Sequence, residues 1–175
     1  MHRYLALLGL VGLLAGCALT REVDLDRAEP YVTFALASEH VAAEQDFVET
    51  NPGVGLGAEV QVGTRPILVG GELGVFRNSF DETTPYLVGF TEGTVGAPWS
   101  EHPLGLGVFY GYGRYPGEAD RARDRGFVVI GDFIPIGGLQ VTVPTIRNNA
   151  LRFRIVPGLL EDTASVIAIQ TNFRF

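Results

Sequence analysis

The stretch Ala164-Ser165-Val166-Ile167-Ala168-Ile169-Gln170-Thr171-Asn172-Phe173-Arg174-Phe175 decides the fold of this chain. Successive side chains of a strand point to opposite faces, so the odd-numbered residues from Ile167 to Phe175 share one largely apolar face. The residues between them form the other, mostly polar face: Ala168, Gln170, Asn172 and Arg174. Two aromatic residues at the end of such a strand are typical of the girdles of outer-membrane barrels. We interpret the stretch as a barrel strand, with the edge strand of a soluble sandwich as the alternative.

The same alternation recurs along the chain. Residues 53–62 place valine, leucine and alanine on one face, and glycine, Glu59 and Gln61 on the other; residues 67–76 and 104–113 repeat the pattern. A soluble barrel would invert it and turn its polar residues outward. Eight strands can be counted, close to the ~9–11 residues of a tilted membrane strand, and an even count suits single-chain barrels. We therefore predict an all-β fold, an eight-stranded antiparallel transmembrane β-barrel of the outer membrane, with strands at 31–40, 54–62, 67–76, 86–93, 104–113, 136–145, 151–156 and 164–175. Residues 127–135 are predicted to extend the sixth strand above the bilayer.

The N-terminal 17 residues have the shape of a secretory signal. A basic start precedes an apolar run from Leu5 to Leu14, which is too short to span a membrane as a helix. The following Ala15-Gly16-Cys17 resembles the lipobox of bacterial lipoproteins, which implies cleavage before Cys17 and lipidation of this only cysteine. An ordinary signal with a chance cysteine is the alternative. We assign residues 18–29 to a periplasmic lead and residues 30–175 to the barrel.

The composition argues against several classes of function. Acidic residues number 20 against 13 basic ones, and every basic residue is arginine. No basic stretch with interleaved aromatic residues occurs, so we expect no nucleic-acid partner. No histidines, cysteines and carboxylates stand at metal-ligand spacing, so we expect neither a metal nor another cofactor. Of the two histidines left after signal cleavage, only His40 is predicted at the outer rim, where it would be the one base of ordinary pKa.

Several short motifs follow one another in a fixed order. They are His40 at the end of the first strand, Asn78-Ser79-Phe80 after the third, Pro-Leu-Gly-Leu-Gly at 103–107, Phe133-Ile134-Pro135, Val156-Pro157-Gly158 and the Phe-Arg-Phe ending. Over roughly residues 31–175 this arrangement resembles the outer-membrane lipid A palmitoyltransferase family (PagP-like barrels). The resemblance implies an eight-stranded barrel that moves a palmitoyl chain from an outer-leaflet phospholipid to lipid A. We expect these two lipids and the membrane as partners, and a monomer.

In that family, surface His, Asp and Ser residues carry the reaction, and the matching positions here are His40, Asn78 and Ser79. The family's aspartate is therefore an amide in this chain, which hydrogen-bonds but cannot accept a proton as a carboxylate does. Asp81 could supply a charge from the same loop. We predict acyl transfer with His40 as the base and Ser79 and Asn78 as donors to the oxyanion. The alternatives are a lipid A deacylase and a non-enzymatic structural or lipid-binding barrel lipoprotein.

The predicted inner face has two kinds of residue. Charged side chains of both signs would satisfy one another and block a pore: Glu59, Glu72, Arg152, Arg154 and Arg174. Glycines of the outer half could leave a slot for one acyl chain, or serve only strand curvature: Gly53, Gly55, Gly57, Gly74, Gly111 and Gly113. Pro135 and Pro144 flank the sixth strand and each removes a ladder donor, so this seam is a candidate side door for a lipid.

Overall fold

The computed structural model describes residues 24–41, 48–64, 67–96, 103–146, 149–157 and 165–175. The predicted signal, Cys17 and His102 lie outside these residues. Eight strands follow one another along the chain: β1 (Glu29–Val41), β2 (Gly53–Gln61), β3 (Ile67–Arg77), β4 (Thr83–Val95), β5 (Leu104–Arg114), β6 (Phe133–Pro144), β7 (Ala150–Val156) and β8 (Ser165–Arg174). A short 3-10 turn, Leu25–Arg27, precedes β1. The all-β prediction is confirmed.

The strands form one closed antiparallel barrel. Each strand pairs with its neighbour in sequence, and β8 returns to β1, where Val32 lies opposite Phe173. Closure removes the free edges that an open sheet would expose. The connections after β1, β3, β5 and β7 therefore meet at one end of the barrel, which we call the loop end. The other three connections, the start of β1 and the end of β8 lie at the opposite end, which we call the turn end.

The two faces of the barrel follow the alternation of the sequence. Large apolar side chains point outward and are exposed, among them Leu56 and Leu73 at 59% each and Leu87 at 62%. Polar and charged side chains point inward and are buried, among them Glu72 at 1% and Arg152 at 0%. An eight-stranded barrel is just wide enough for side chains to fill its interior. The prediction of a polar interior and an apolar outer surface is confirmed.

The structure departs from the sequence-based prediction in two strand bounds, in one connection and in the alternation of β1. β4 (Thr83–Val95) extends beyond the predicted 86–93 at both ends. β6 begins at Phe133, three residues before its predicted start at 136. The connection from β5 to β6 contains a 3-10 turn at Pro116–Glu118 and a short helix, α1 (Ala119–Asp124). β1 has a β-bulge between Ala35 and Ala37, which no alternation in the sequence announces. Among the described helices, none has the length and apolar character needed to cross a membrane.

Candidate functional site: a cavity at the loop end of the barrel

The turn-end half and the middle of the barrel interior are filled by an ion-pair network of Glu59, Glu72, Arg152, Arg154 and Arg174. Glu72 is its centre: its Oε1 accepts from Arg154 Nη1 at 2.8 Å, and its Oε2 lies 3.3 Å from Arg152 Nη1. Glu59 Oε2 lies 3.2 Å from Arg152 Nη2, and Glu59 Oε1 lies 2.6 Å from Arg174 Nη2. Buried charges require partners of this kind to offset their loss of hydration. The prediction that inward charges of both signs meet is confirmed.

Aromatic rings complete the network. The hydroxyls of Tyr31 and Tyr86 donate to the two oxygens of Glu72 at 3.0 and 2.8 Å. The Arg152 guanidinium lies 4.6 Å from the ring centroid of Phe90, a distance at which a cation is attracted to a ring face. A second polar cluster, missed in the sequence, joins Glu92 to Gln140 and Thr142. The alternation of β4 could have revealed this cluster in the sequence, because it places Glu92 on the same face as the buried Tyr86.

Above this network lies a cavity of about 250 Å³, just below the ~300–1,000 Å³ of common ligand pockets. We call it the loop-end cavity. Its walls are mostly apolar and come from β1, β3, β4, β5, β6 and β8: Ala35, Phe76, Val88, Phe109, Ile136 and Ala168. Ala122 of α1, with Tyr115 and Phe127 before and after the helix, lines it from the connection between β5 and β6. Burial raises the pKa of the Tyr115 hydroxyl to about 12, so this side chain is neutral.

The β1 bulge turns His40 into the cavity. Tyr31 and Thr33 are buried inward-facing residues, so an unbroken alternation would bring residues 37 and 39 inward and leave His40 outside. The extra residue at the bulge reverses this parity, as bulges do when they redirect side chains. Ser38 and His40 consequently line the cavity, whereas Glu39 is exposed.

A polar rim surrounds His40. Ser38 donates its hydroxyl to Asn51 Oδ1 at 2.5 Å, and Asn51 Nδ2 donates to the carbonyl of Arg77 at 2.9 Å. The backbone N–H of Ser38 donates to the carbonyl of Glu49 at 2.8 Å, which brings the connection after β1 against the end of that strand. The charge of the Glu49 carboxylate acts on the His40 imidazole. The sequence did not single out Asn51 as a site residue, although Asn51-Pro52-Gly53 is a typical turn sequence.

The loop between β3 and β4 positions Ser79. Asn78 organises this loop, because its Oδ1 accepts the backbone N–H groups of Phe80 and Glu82, each at 2.9 Å. Its Nδ2 donates to Thr84 Oγ1 at 2.9 Å. Both ends of the Asn78 amide are thus engaged within the loop, and Asn78 does not contribute to the cavity lining, whereas Ser79 does. The structure brings His40 and Ser79 to one cavity. Asn78 instead stabilises the loop, and its predicted donation to the oxyanion stays a prediction.

Asp81, the alternative source of charge, is committed elsewhere. It forms an exposed ion pair with Arg77, and hydrogen bonding to the Arg77 guanidinium holds the pKa of the Asp81 carboxyl below its usual range. Its φ of 66° places it in the left-handed region, which aspartate tolerates better than most residues. Asp81 does not line the cavity beside His40.

The six glycines predicted to form an acyl slot lie elsewhere on the inner face. A Cβ at Gly57 would lie 2.2 Å from the Tyr31 ring, and one at Gly55 would lie 2.7 Å from the Tyr86 hydroxyl. Gly53, Gly74 and Gly111 face the backbone of a neighbouring strand within 2.6 Å, and Gly113 faces Tyr115. None of the six contributes to the cavity lining. Their missing side chains leave room for tyrosine rings and for close approach of neighbouring strands, so the loop-end cavity differs from the predicted slot in its position.

Polar residues form the floor of the cavity, where it meets the network. Arg154 and Gln170 line it and are only 4% and 6% exposed. Arg154 donates from Nε to Gln140 Oε1 at 3.1 Å as well as to Glu72. Within the part of the chain that the structure describes, Arg154 Nη2 and Gln170 Oε1 have no hydrogen-bond partner. The cavity therefore has an apolar wall between two polar ends.

Among the residues that the structure describes, no group of three or more His, Cys, Asp or Glu side chains is placed to hold a metal ion.

Comparison with protein-family models gives no match, and a search of curated proteins finds no relative. The function has to be argued from the barrel and its cavity.

Proposed function

We propose that this protein is an outer-membrane acyltransferase that moves an acyl chain from a glycerophospholipid to a lipid A-like acceptor. The outer surface supports the membrane part of this proposal. Leu56, Leu73, Leu87, Tyr110 and Leu139 project from five different strands and are each more than half exposed. Water-soluble monomers rarely expose continuous apolar surface of this extent, whereas membrane barrels carry such a band around their strands.

The observation that carries the proposal is the loop-end cavity itself. It combines apolar walls, which suit a hydrocarbon chain, with His40 and Ser79 in the lining. Each methylene that enters such a cavity gains about 0.8 kcal/mol from burial. An acyl chain held there would present its ester carbonyl near the loop end, where the imidazole and the hydroxyl lie. The resemblance to the lipid A palmitoyltransferase family at these two positions supports the same reaction.

The proposed chemistry needs one base and one hydrogen-bond donor. His40 removes the proton of the acceptor hydroxyl, whose oxygen attacks the ester carbonyl carbon. Ser79 donates to the oxyanion as negative charge develops on it. A new ester C–O bond forms and the C–O bond to the phospholipid glycerol breaks. The departing lysophospholipid oxygen then takes the proton from His40.

A gap in the pairing between the described residues of β6 and β7 offers the lipid a candidate lateral route. β6 pairs with β7 only from Leu139, opposite Ile155, to Pro144, opposite Ala150. Residues 133–138 pair with β5 but, in the described chain, have no partner on the β7 side. Ile134, Pro135 and Val156 on the two sides of this gap also line the cavity. We therefore infer that an acyl chain enters from the membrane between β6 and β7.

The test is the mass spectrum of lipid A from cells with and without the protein. We expect one added acyl chain with the wild type, none with His40→Ala, and an unchanged gain with Glu39→Gln, which alters the exposed neighbour. All three proteins should show the heat-modifiable migration of a folded barrel. Loss of a chain from lipid A would replace transfer by deacylation. An unchanged spectrum would leave a lipid-binding barrel without this activity.

A further inference from the structure

The floor of the loop-end cavity is polar, which does not suit the methyl end of an unsubstituted acyl chain. Arg154 and Gln170 are more than nine-tenths buried there. One N–H-bearing nitrogen of Arg154 and the side-chain oxygen of Gln170 have no partner among the residues described. A buried polar atom without a hydrogen bond destabilises the folded protein, and a methyl group cannot relieve that cost.

The two spare atoms differ in kind, and this restricts the group that satisfies both. Arg154 Nη2 is a donor, whereas Gln170 Oε1 is an acceptor. A carboxylate only accepts, so it would satisfy the arginine and leave the glutamine. A hydroxyl group accepts and donates at once. A single hydroxyl oxygen therefore matches the pair.

Strand register places both side chains within reach of one ligand group. Arg154 of β7 lies opposite Ala168 of β8, so Gln170 is its diagonal neighbour on the same inner face. Diagonal neighbours are ~7–8 Å apart at the backbone, which long side chains bridge with a small group between them. Val166, the partner of His40, lies four residues before Gln170 along β8. At ~3.3 Å per residue, the floor is thus about 13 Å from the rim.

We propose that the loop-end cavity selects an acyl chain bearing a hydroxyl group near its far end, with the hydroxyl accepting from Arg154 and donating to Gln170. The proposal rests on the proposed function only in placing the acyl carbonyl near His40. The hydroxyl then lies about 13 Å along the chain from the reacting carbonyl, at the ~3.3 Å rise per strand residue used above.

The test is a binding measurement, so that it stands apart from catalysis. Full-length, folded His40→Ala protein in detergent is titrated by native mass spectrometry with free fatty acids of one length, whose hydroxyl moves stepwise along the chain. We expect one hydroxyl position to bind at least tenfold more tightly than the unsubstituted acid, which corresponds to about 1.4 kcal/mol. Gln170→Leu should abolish this preference, and Thr171→Val, on the outer face of the same strand, should keep it.

Equal affinity at every hydroxyl position would overturn the proposal, because the floor would then be satisfied by water alone. A preference that survives Gln170→Leu would overturn it too. If Gln170→Leu fails to fold, the hydroxyl scan of the parent protein decides by itself. A preference in the scan combined with an unchanged lipid A spectrum would support this site and reject the acyltransferase.

Discussion

The turn-end half of the barrel interior is filled with paired charges, whereas the loop-end half holds a cavity of about 250 Å³. The same strands build both halves. β7 contributes Arg152 to the network and Arg154 to both the network and the cavity floor, and β8 contributes the small Ala168 to the cavity wall. The contrast teaches that the length of each inward side chain decides whether that part of a closed barrel is filled or can bind a ligand.

The largest expected effect comes from breaking the filled half. Glu72→Gln removes the carboxylate that Arg152 and Arg154 share, which leaves the buried Arg154 guanidinium without a counter-charge and Arg152 with Glu59 alone. Breaking a buried ion pair in this way costs about 3–5 kcal/mol. The measurement is denaturant unfolding of the folded barrel in detergent. Glu39→Gln, an exposed position of β1, should stay within about 0.5 kcal/mol of the wild type. Equal stability of the two variants would mean that the network does not hold the interior.

The filled half was largely predictable from the sequence. Period-two alternation identified Glu59, Glu72, Arg152, Arg154 and Arg174 as inward residues, because burial of one face dictates register so strongly. Which arginine meets which glutamate was not predictable, since those pairs join strands whose relative placement is decided only by closure. Arg152 and Glu59, for example, lie on β7 and β2, which are not neighbours.

The second prediction concerns the loop that holds Ser79 over the hollow half. The family resemblance suggests that an aspartate at position 78 would raise activity, but the contacts of Asn78 predict otherwise. Asn78→Asp removes the donor to Thr84, whose own hydroxyl already donates to the carbonyl of Arg114, and sets a carboxylate beside Glu82. We expect a loss of about 1–3 kcal/mol in unfolding free energy and no gain in acyl transfer.

A matched double variant checks the cause of that loss. Asn78→Asp combined with Glu82→Gln removes the like-charge pair but not the missing donor, so it should recover only part of the stability. A rise in the rate of lipid A acylation with Asn78→Asp would contradict the scaffolding position and return residue 78 to the reaction.

The third prediction fills the cavity from its wall. Ala168→Leu enlarges a side chain that lines the cavity and should exclude one or two methylenes of the bound chain. Each excluded methylene loses about 0.8 kcal/mol of burial free energy. We expect a folded barrel that prefers a shorter acyl donor, measured by competition among phospholipids of different chain length. Ile167→Leu, on the outer face beside it, should keep the wild-type length profile. The same profile in both variants would place the acyl chain outside this cavity.

The hollow half was less predictable, and the reasons are local. The β1 bulge decides that His40 points inward, yet bulges leave no periodic signal in the sequence. The inward glycines were compatible with either an acyl slot or strand curvature, and the Tyr31 and Tyr86 rings occupy the space beside Gly57 and Gly55. The cavity is instead left by alanines at positions 35, 37, 122 and 168, whose small side chains resemble ordinary strand or helix residues in the sequence. The position of the cavity depends on contacts between strands that are distant in sequence, which composition does not reveal.

The smallest expected effect tests which carboxylate acts on His40. Glu49 is held beside β1 by the bond between the Ser38 N–H and its carbonyl. Burial disfavours the protonated form of the His40 imidazole, and the smaller effect of the Glu49 charge opposes this. An exposed charge pair is worth about 0.2–1 kcal/mol, so Glu49→Gln should slow acyl transfer up to about fivefold, and less at high salt. Asp81→Asn should leave the rate unchanged, because Arg77 already neutralises Asp81. The opposite pattern, with Asp81→Asn slow and Glu49→Gln normal in kcat/KM, would assign the role to the loop after β3 and detach Glu49 from the site.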